Sequence, residues 1–174
     1  MSRLSYPESI QLLRERGVLG PDDAPTLPPR MPQPDDEPGG LEFFRTALED
    51  ADLSKVSIPR TLFCRSEVAR TSFRDADLSE SFMCWTDFVD VDFSTAVLAK
   101  ADLRASSFQR VSFADADLSG ADVTRSGFAG CTFRGARLAG TRLTKAVARQ
   151  MQLSEEQRRE VAWHDDEGPE PLGG

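Results

Sequence analysis

The sequence predicts an all-β solenoid of about five four-sided coils with short helical flanks, and three observations carry that prediction. Every fifth residue from Phe43 to Leu143 is large and apolar, 21 positions without a break, although only 39% of the chain is apolar. The residue two places earlier, from Thr46 through Ala51, Val56 and Thr61 to Thr141, is never a large side chain. The large residues also repeat more slowly: Phe88, Phe93, Leu98, Leu103 is answered 20 residues on by Phe108, Phe113, Leu118, Val123, and again by Phe128, Phe133, Leu138, Leu143.

A five-residue period fits neither the 3.6 of an α-helix nor the 2 of a flat strand. It fits three extended residues pointing in, out and in, followed by two that turn a corner. The first inward residue lies near the corner and must be small; the second reaches the centre and can be large. Cys131 falls in the small series, so its thiol is expected to point inward. Four such sides give the 20-residue return, with Phe73, Phe93, Phe113 and Phe133 as one ladder and Leu78, Leu98, Leu118 and Leu138 as another. At about 4.8 Å per coil, the rod is about 25 Å long.

Ala51-Asp52-Leu53-Ser54-Lys55, Ala76-Asp77-Leu78-Ser79-Glu80, Ala101-Asp102-Leu103-Arg104-Ala105 and Ala116-Asp117-Leu118-Ser119-Gly120 resemble the A(D/N)LXX motif of pentapeptide-repeat proteins. The resemblance covers the repeat region, residues 41–145, and implies a right-handed quadrilateral β-helix. It also implies work by protein binding rather than catalysis. Gyrase-interacting members (the Qnr-type, mycobacterial quinolone-resistance and albicidin-resistance proteins) are similar in shape and charge to duplex DNA. DNA gyrase is therefore one partner the resemblance implies, with resistance to topoisomerase poisons as the outcome.

Outside the repeats, residues 1–40 read as an N-terminal helix over Pro7–Arg16, stopped by Gly17, and an acidic Pro-rich linker from Pro21 to Pro38. Residues 146–174 read as a capping helix from the N-cap Ser154, with Gln157 completing a capping box, to about Trp163. Val161 is expected to pack on the last coil, and an acidic tail follows from His164. The open ends of a stacked solenoid carry unpaired strand edges, so both flanks are expected to act as covers.

Composition narrows function. A formal net charge of −8 and a pI near 4.7 argue against direct binding to nucleic acid. No apolar run approaches the roughly 18 residues of a membrane span, and the start lacks the pattern of a secretory leader. Three cysteines and one histidine provide neither a disulfide framework nor a typical zinc site, which points to a reduced, cytoplasmic setting. With His164 in the tail and no phosphate-binding loop, no catalytic, cofactor or metal site is expected.

Two surface features are candidates for partner binding. The face built on Leu48, Val68, Phe88, Phe108 and Phe128 has a net charge of −3 and carries Glu49, Asp50, Glu67, Asp87 and Asp90, an acidic ridge of the kind a DNA mimic needs. On the face from Phe43 to Leu143, which has a net charge of +3, Leu62 and Phe82 point outward one coil apart with Trp85 beside them and Cys64 over Cys84. Exposed apolar residues so grouped mark a contact, with the N-terminal segment, a partner or a second copy in a homodimer as the expected cover.

Overall fold

The computed structural model describes residues 2–20 and 41–165. The Pro-rich linker and the tail beyond Asp165 lie outside the described residues. A helix α1 (Tyr6–Glu15) precedes five three-residue strands, β1 (Ala47–Glu49), β2 (Glu67–Ala69), β3 (Asp87–Val89), β4 (Ser107–Gln109) and β5 (Gly127–Ala129). After them come β6 (Arg142–Leu143), α2 (Lys145–Met151), α3 (Glu155–Glu160) and β7 (Ala162–Trp163).

Strands β1 to β5 pair in parallel in sequence order, each residue opposite the one 20 further on: Leu48 with Val68, Phe88, Phe108 and Phe128 in turn. The other three sides are shorter and pair through single parallel bridges with the same offset, such as Asp52–Ser72–Asp92–Ser112–Thr132. The chain is thus a right-handed quadrilateral β-helix.

The interior follows the five-residue frame. Phe73, Phe93, Phe113 and Phe133 stack with centroids 5.2, 5.5 and 4.9 Å apart, and Phe88, Phe108 and Phe128 form a second column at 4.9 Å steps. The two columns meet edge-on, Phe108 to Phe113 at 5.5 Å, which is the complementary geometry for ring quadrupoles. Leu78, Leu98, Leu118 and Leu138 are fully buried above one another.

Corners come in two chemistries. At the corner after the Phe73, Phe93, Phe113 and Phe133 ladder the small inward residue is alanine and a backbone bond closes the turn, as in Ala76 N–H to Phe73 O (3.0 Å) and Ala96 N–H to Phe93 O (3.0 Å). At the corner leading into the strands it is always Thr or Ser: Thr46, Ser66, Thr86, Ser106 and Ser126. There Ser106 Oγ donates to Met83 O at 2.6 Å and accepts from Thr86 N–H at 3.1 Å, and Ser126 Oγ does the same for Leu103 O (2.6 Å) and Ser106 N–H (3.3 Å). Small size satisfies the packing; the hydroxyl satisfies buried backbone groups the corner leaves over. Cys131 is half-buried rather than fully inward, its Sγ donating to Phe108 O at 3.4 Å.

Every fifth residue from Arg45 to Gly140, the second of each turn, has a φ between +48° and +71°. Only Gly120, Gly130, Gly135 and Gly140 among them lack a side chain, so the coil repeatedly imposes the left-handed region on ordinary residues.

Both ends are covered. Helix α1 starts at a capping box between Ser5 and Glu8 and buries Ser9, Ile10 and Leu13 against the first coil. It is held there by Leu4 N–H to Lys55 O (2.9 Å), Ser57 N–H to Ser9 Oγ (2.7 Å) and Arg3 Nε to Asp75 O (2.7 Å). The C-terminal flank departs from the single helix expected up to Trp163. Helix α2 begins at the N-cap Thr144, a left-handed Gln152 breaks the chain, and α3, with the Ser154–Gln157 capping box, ends at Glu160. Trp163 belongs instead to β7, which adds a further rung beside β6, Arg142 opposite Ala162 and Leu143 opposite Trp163. Among the described residues no helix is long and apolar enough to cross a membrane.

Candidate functional site

Because Phe and Leu ladders fill the interior, any site must lie on the outside. Side chains reach that surface from the middle residue of each side and from the two turn residues. One side stacks Leu62, Phe82, Asp102, Asp122, Arg142 and Ala162 as its middle residues. The turn that follows it brings out Cys64, Cys84 and Arg104, then Arg65, Trp85 and Arg125.

Among the described residues Trp85 is the most exposed large apolar one, at 66%, and sits at φ 57° in its turn. Leu62 and Phe82 are half-buried. Helix α1 docks at Ser57 and Asp75 on other sides of the rod, so the described part of the N-terminal segment does not cover this patch. The physical reason is that α1 meets the unpaired edge of the first coil, where backbone groups need partners.

What Trp85 does meet is an open groove of about 600 Å³, walled on one side by the rod and on the other by α2 and the strand end at His164. Cys84, Trp85, Arg104, Arg125, Arg142, Val147, Gln150 and His164 are among its lining residues. Arg104 is held by Asp102 through two bonds of 2.8 and 2.7 Å. Arg142 lies 3.3 Å from Asp122, and its guanidinium is 3.3 Å from His164 Nδ1. Arg125, by contrast, makes no ion pair among the described residues. The groove therefore offers one large aromatic surface, two fixed guanidinium groups and one uncommitted cation. No group of three His, Cys, Asp or Glu side chains suited to a metal ion occurs among the described residues.

The acidic face is built differently from a bare ridge. Arg70 binds both Glu49 and Asp50 (2.7 Å each), and Arg110 binds Asp90 through bonds of 2.6 and 2.8 Å. These hydrogen bonds hold the Asp50 and Asp90 carboxyls below their ordinary range. Glu67 and Asp87 stand opposite one another across β2 and β3 without an ion pair among the described residues.

Trp85 is legible in the sequence as an outward apolar residue, but the groove is not. Its second wall comes from residues more than 50 positions later, placed by α2 and β7. One signal was available: Val161 and Trp163 keep the small and large phases of the repeat, 20 residues after Thr141 and Leu143.

A continuous four-sided coil with a filled interior and decorated turns defines the class of the protein, a β-helical solenoid. Residues 86–125 match the family model "Pentapeptide repeats" in eight copies, so this stretch of the chain is similar to the pentapeptide-repeat family, as the A(D/N)LXX motifs imply. Among solved structures it is similar to a pentapeptide repeat protein, Rfr23, from the cyanobacterium Cyanothece 51142, with 13% identity over 72% of this chain and 89% of that one, at a TM-score of 0.58. It is also similar to a pentapeptide repeat protein of the Arabidopsis thaliana thylakoid lumen (25% identity, 65% and 72% covered, TM-score 0.44). A third similar structure is QnrB1, a plasmid-mediated fluoroquinolone resistance protein (21% identity, 72% and 67% covered, TM-score 0.45). No curated protein matches the sequence.

Proposed function

We propose that this chain is a non-enzymatic binding protein that takes a protein partner in the groove at Trp85. The observation that carries this reading is the exposed Trp85 beside Arg104, Arg125 and Arg142. Tryptophan and arginine are the residue types that dominate binding energy at protein interfaces, and a flanking groove supplies the desolvated pocket they need. The uncommitted Arg125 favours a partner segment with a carboxylate next to an apolar side chain.

A second reading, a DNA-like surface for DNA gyrase that protects it from topoisomerase poisons, is favoured by Glu67 and Asp87. Their charges stack on neighbouring rungs without a neutralising arginine, whereas those of Glu49, Asp50 and Asp90 are taken up by Arg70 and Arg110.

Quantitative affinity capture with the full chain separates the two. The groove reading expects a partner lost with both Trp85→Ser and Arg125→Glu and kept when Glu67, Asp87 and Asp90 are changed to Lys. Gyrase subunits lost only with that charge reversal place binding on the acidic face. Capture that survives all of these changes removes both readings. Light scattering of the wild type and Phe82→Ser tests the remaining possibility that a second copy occupies the Leu62/Phe82 patch.

A further inference from the structure

Cys64 and Cys84 occupy the same turn position on consecutive coils, 20 residues apart, beside the half-buried Leu62 and Phe82. Parallel neighbours on a sheet lie about 4.8 Å apart, within the Cα separation a disulfide spans without backbone movement. Both cysteines are free thiols, and their Sγ atoms lie 2.7 Å apart. The stacked coil thus holds two sulfurs in reach of a bond with no rearrangement of the rod.

The two thiols are not equivalent. Cys84 lines the open groove and Cys64 does not. The hydrogen bond between the two sulfurs pushes Cys64 up and holds Cys84 down; burial opposes the fall at Cys84. Asp102 also opposes the Cys84 thiolate, and Arg104 favours it. Cys131 sits away from both, and burial pushes its thiol up.

We propose that Cys64 and Cys84 form a redox-active dithiol that hydroperoxides convert to an intramolecular disulfide, with Cys84 as the attacking sulfur. The Cys84 thiolate attacks the terminal oxygen of the hydroperoxide and breaks the O–O bond. Cys84 becomes a sulfenic acid, and the alkoxide leaves as an alcohol after taking one proton. Cys64 then attacks the Cys84 sulfur, the S–S bond forms, and hydroxide leaves with the Cys64 proton as water. In sum, two thiols and one hydroperoxide give one disulfide, one alcohol and one water, and the two electrons pass from sulfur to the peroxide oxygens. A dithiol reductant reverses it. This site stands independently of the groove's partner, since the chemistry needs only the two cysteines and access to Cys84.

Hydrogen peroxide on the folded full chain, followed by alkylation and peptide mapping, tests the proposal. Trypsin separates the two cysteines by cutting after Arg65 and Arg74. The expected result is a cross-link between the Cys64 and Cys84 peptides with Cys131 alkylated. Both thiols should disappear together, about tenfold faster than Cys131. In Cys64→Ser, where no resolving thiol remains, Cys84 should stop at a sulfenic acid that dimedone traps. Three thiols lost at equal rates, a cross-link that includes Cys131, or one that joins two chains would overturn the proposal. A dimedone adduct on Cys64 in Cys84→Ser, with none on Cys84 in Cys64→Ser, would overturn the assignment of the attacking sulfur.

Discussion

Ser9 of helix α1 places its Oγ 2.7 Å from the backbone N of Ser57, on the edge of the first coil. In every later coil that donor has a carbonyl beneath it, as in Asp77 N–H to Val56 O and Val97 N–H to Ala76 O. Ser57 has no earlier coil, and a helix side chain stands in for it. The same Oγ donates to Ser5 O at 2.8 Å, so one buried hydroxyl joins the helix to the rod.

Replacing Ser9 with alanine is therefore expected to leave the part-buried Ser57 N–H without a partner under the helix, at a cost of about 1 kcal/mol. Urea unfolding of the full chain measures it. A change within error would mean that the edge finds another acceptor.

Phe93 stacks on Phe73 and Phe113 and meets Phe88 edge-on. Phe93→Ala is expected to cost about 3–5 kcal/mol, the range for buried aromatics in closely packed cores. The comparison variant is Phe44→Ala, whose ring is exposed and should change stability by under about 0.5 kcal/mol.

Two glycines at equivalent turns should respond differently to a methyl group. Gly140 sits at φ 69° with open space around it, so Gly140→Ala carries only the left-handed penalty, about 1 kcal/mol. At Gly135 a Cβ would also collide with Asp115 Oδ1. Gly135→Ala is expected to be the more destabilising of the two, and Asp115→Ala in the same chain should return it to the Gly140→Ala level. Thermal unfolding of the three variants checks the order.

The arginine pairs on the acidic face predict a pH dependence with a definite sign. Hydrogen bonds from Arg70 and Arg110 lower the Asp50 and Asp90 carboxyls below the ordinary value of about 3.9. The stabilising contribution is complete above that unfolded-chain value and is lost as pH falls through the lower native ones. Substituting both arginines with Gln should lower Tm slightly at neutral pH, and the gap to wild type should close under strongly acidic conditions. Because both pairs lie at the surface, salt should also shrink the gap.

How much of this was legible follows from what each signal encodes. A five-residue rhythm of size marks which side chains point inward, so the Phe and Leu ladders could be placed before any coordinates. Size alone does not distinguish Ala76 from Ser106. The difference between a corner closed by backbone and one closed by a hydroxyl needs the carbonyl of Met83 in view. A 20-residue recurrence of Thr or Ser from Thr46 to Ser126 was nonetheless present in the chain. At the candidate site, Trp85 announced itself as an apolar residue on an outward phase. Arg142 and His164 did not, because they reach the groove only after Gln152 turns the chain and β7 returns to the rod.

The unbroken 20-residue register makes the rod a ruler with a fixed graduation. Removing residues 91–110 would delete one whole turn and leave every remaining side chain above a residue of its own phase. Trp85 would then approach the C-terminal wall by one graduation, about 4.8 Å, whereas removing any number that is not a multiple of five would turn the ladders inside out. Length in this protein can change only in whole steps, and the distance between a residue on one coil and a cap at the end is set by counting rather than by flexibility.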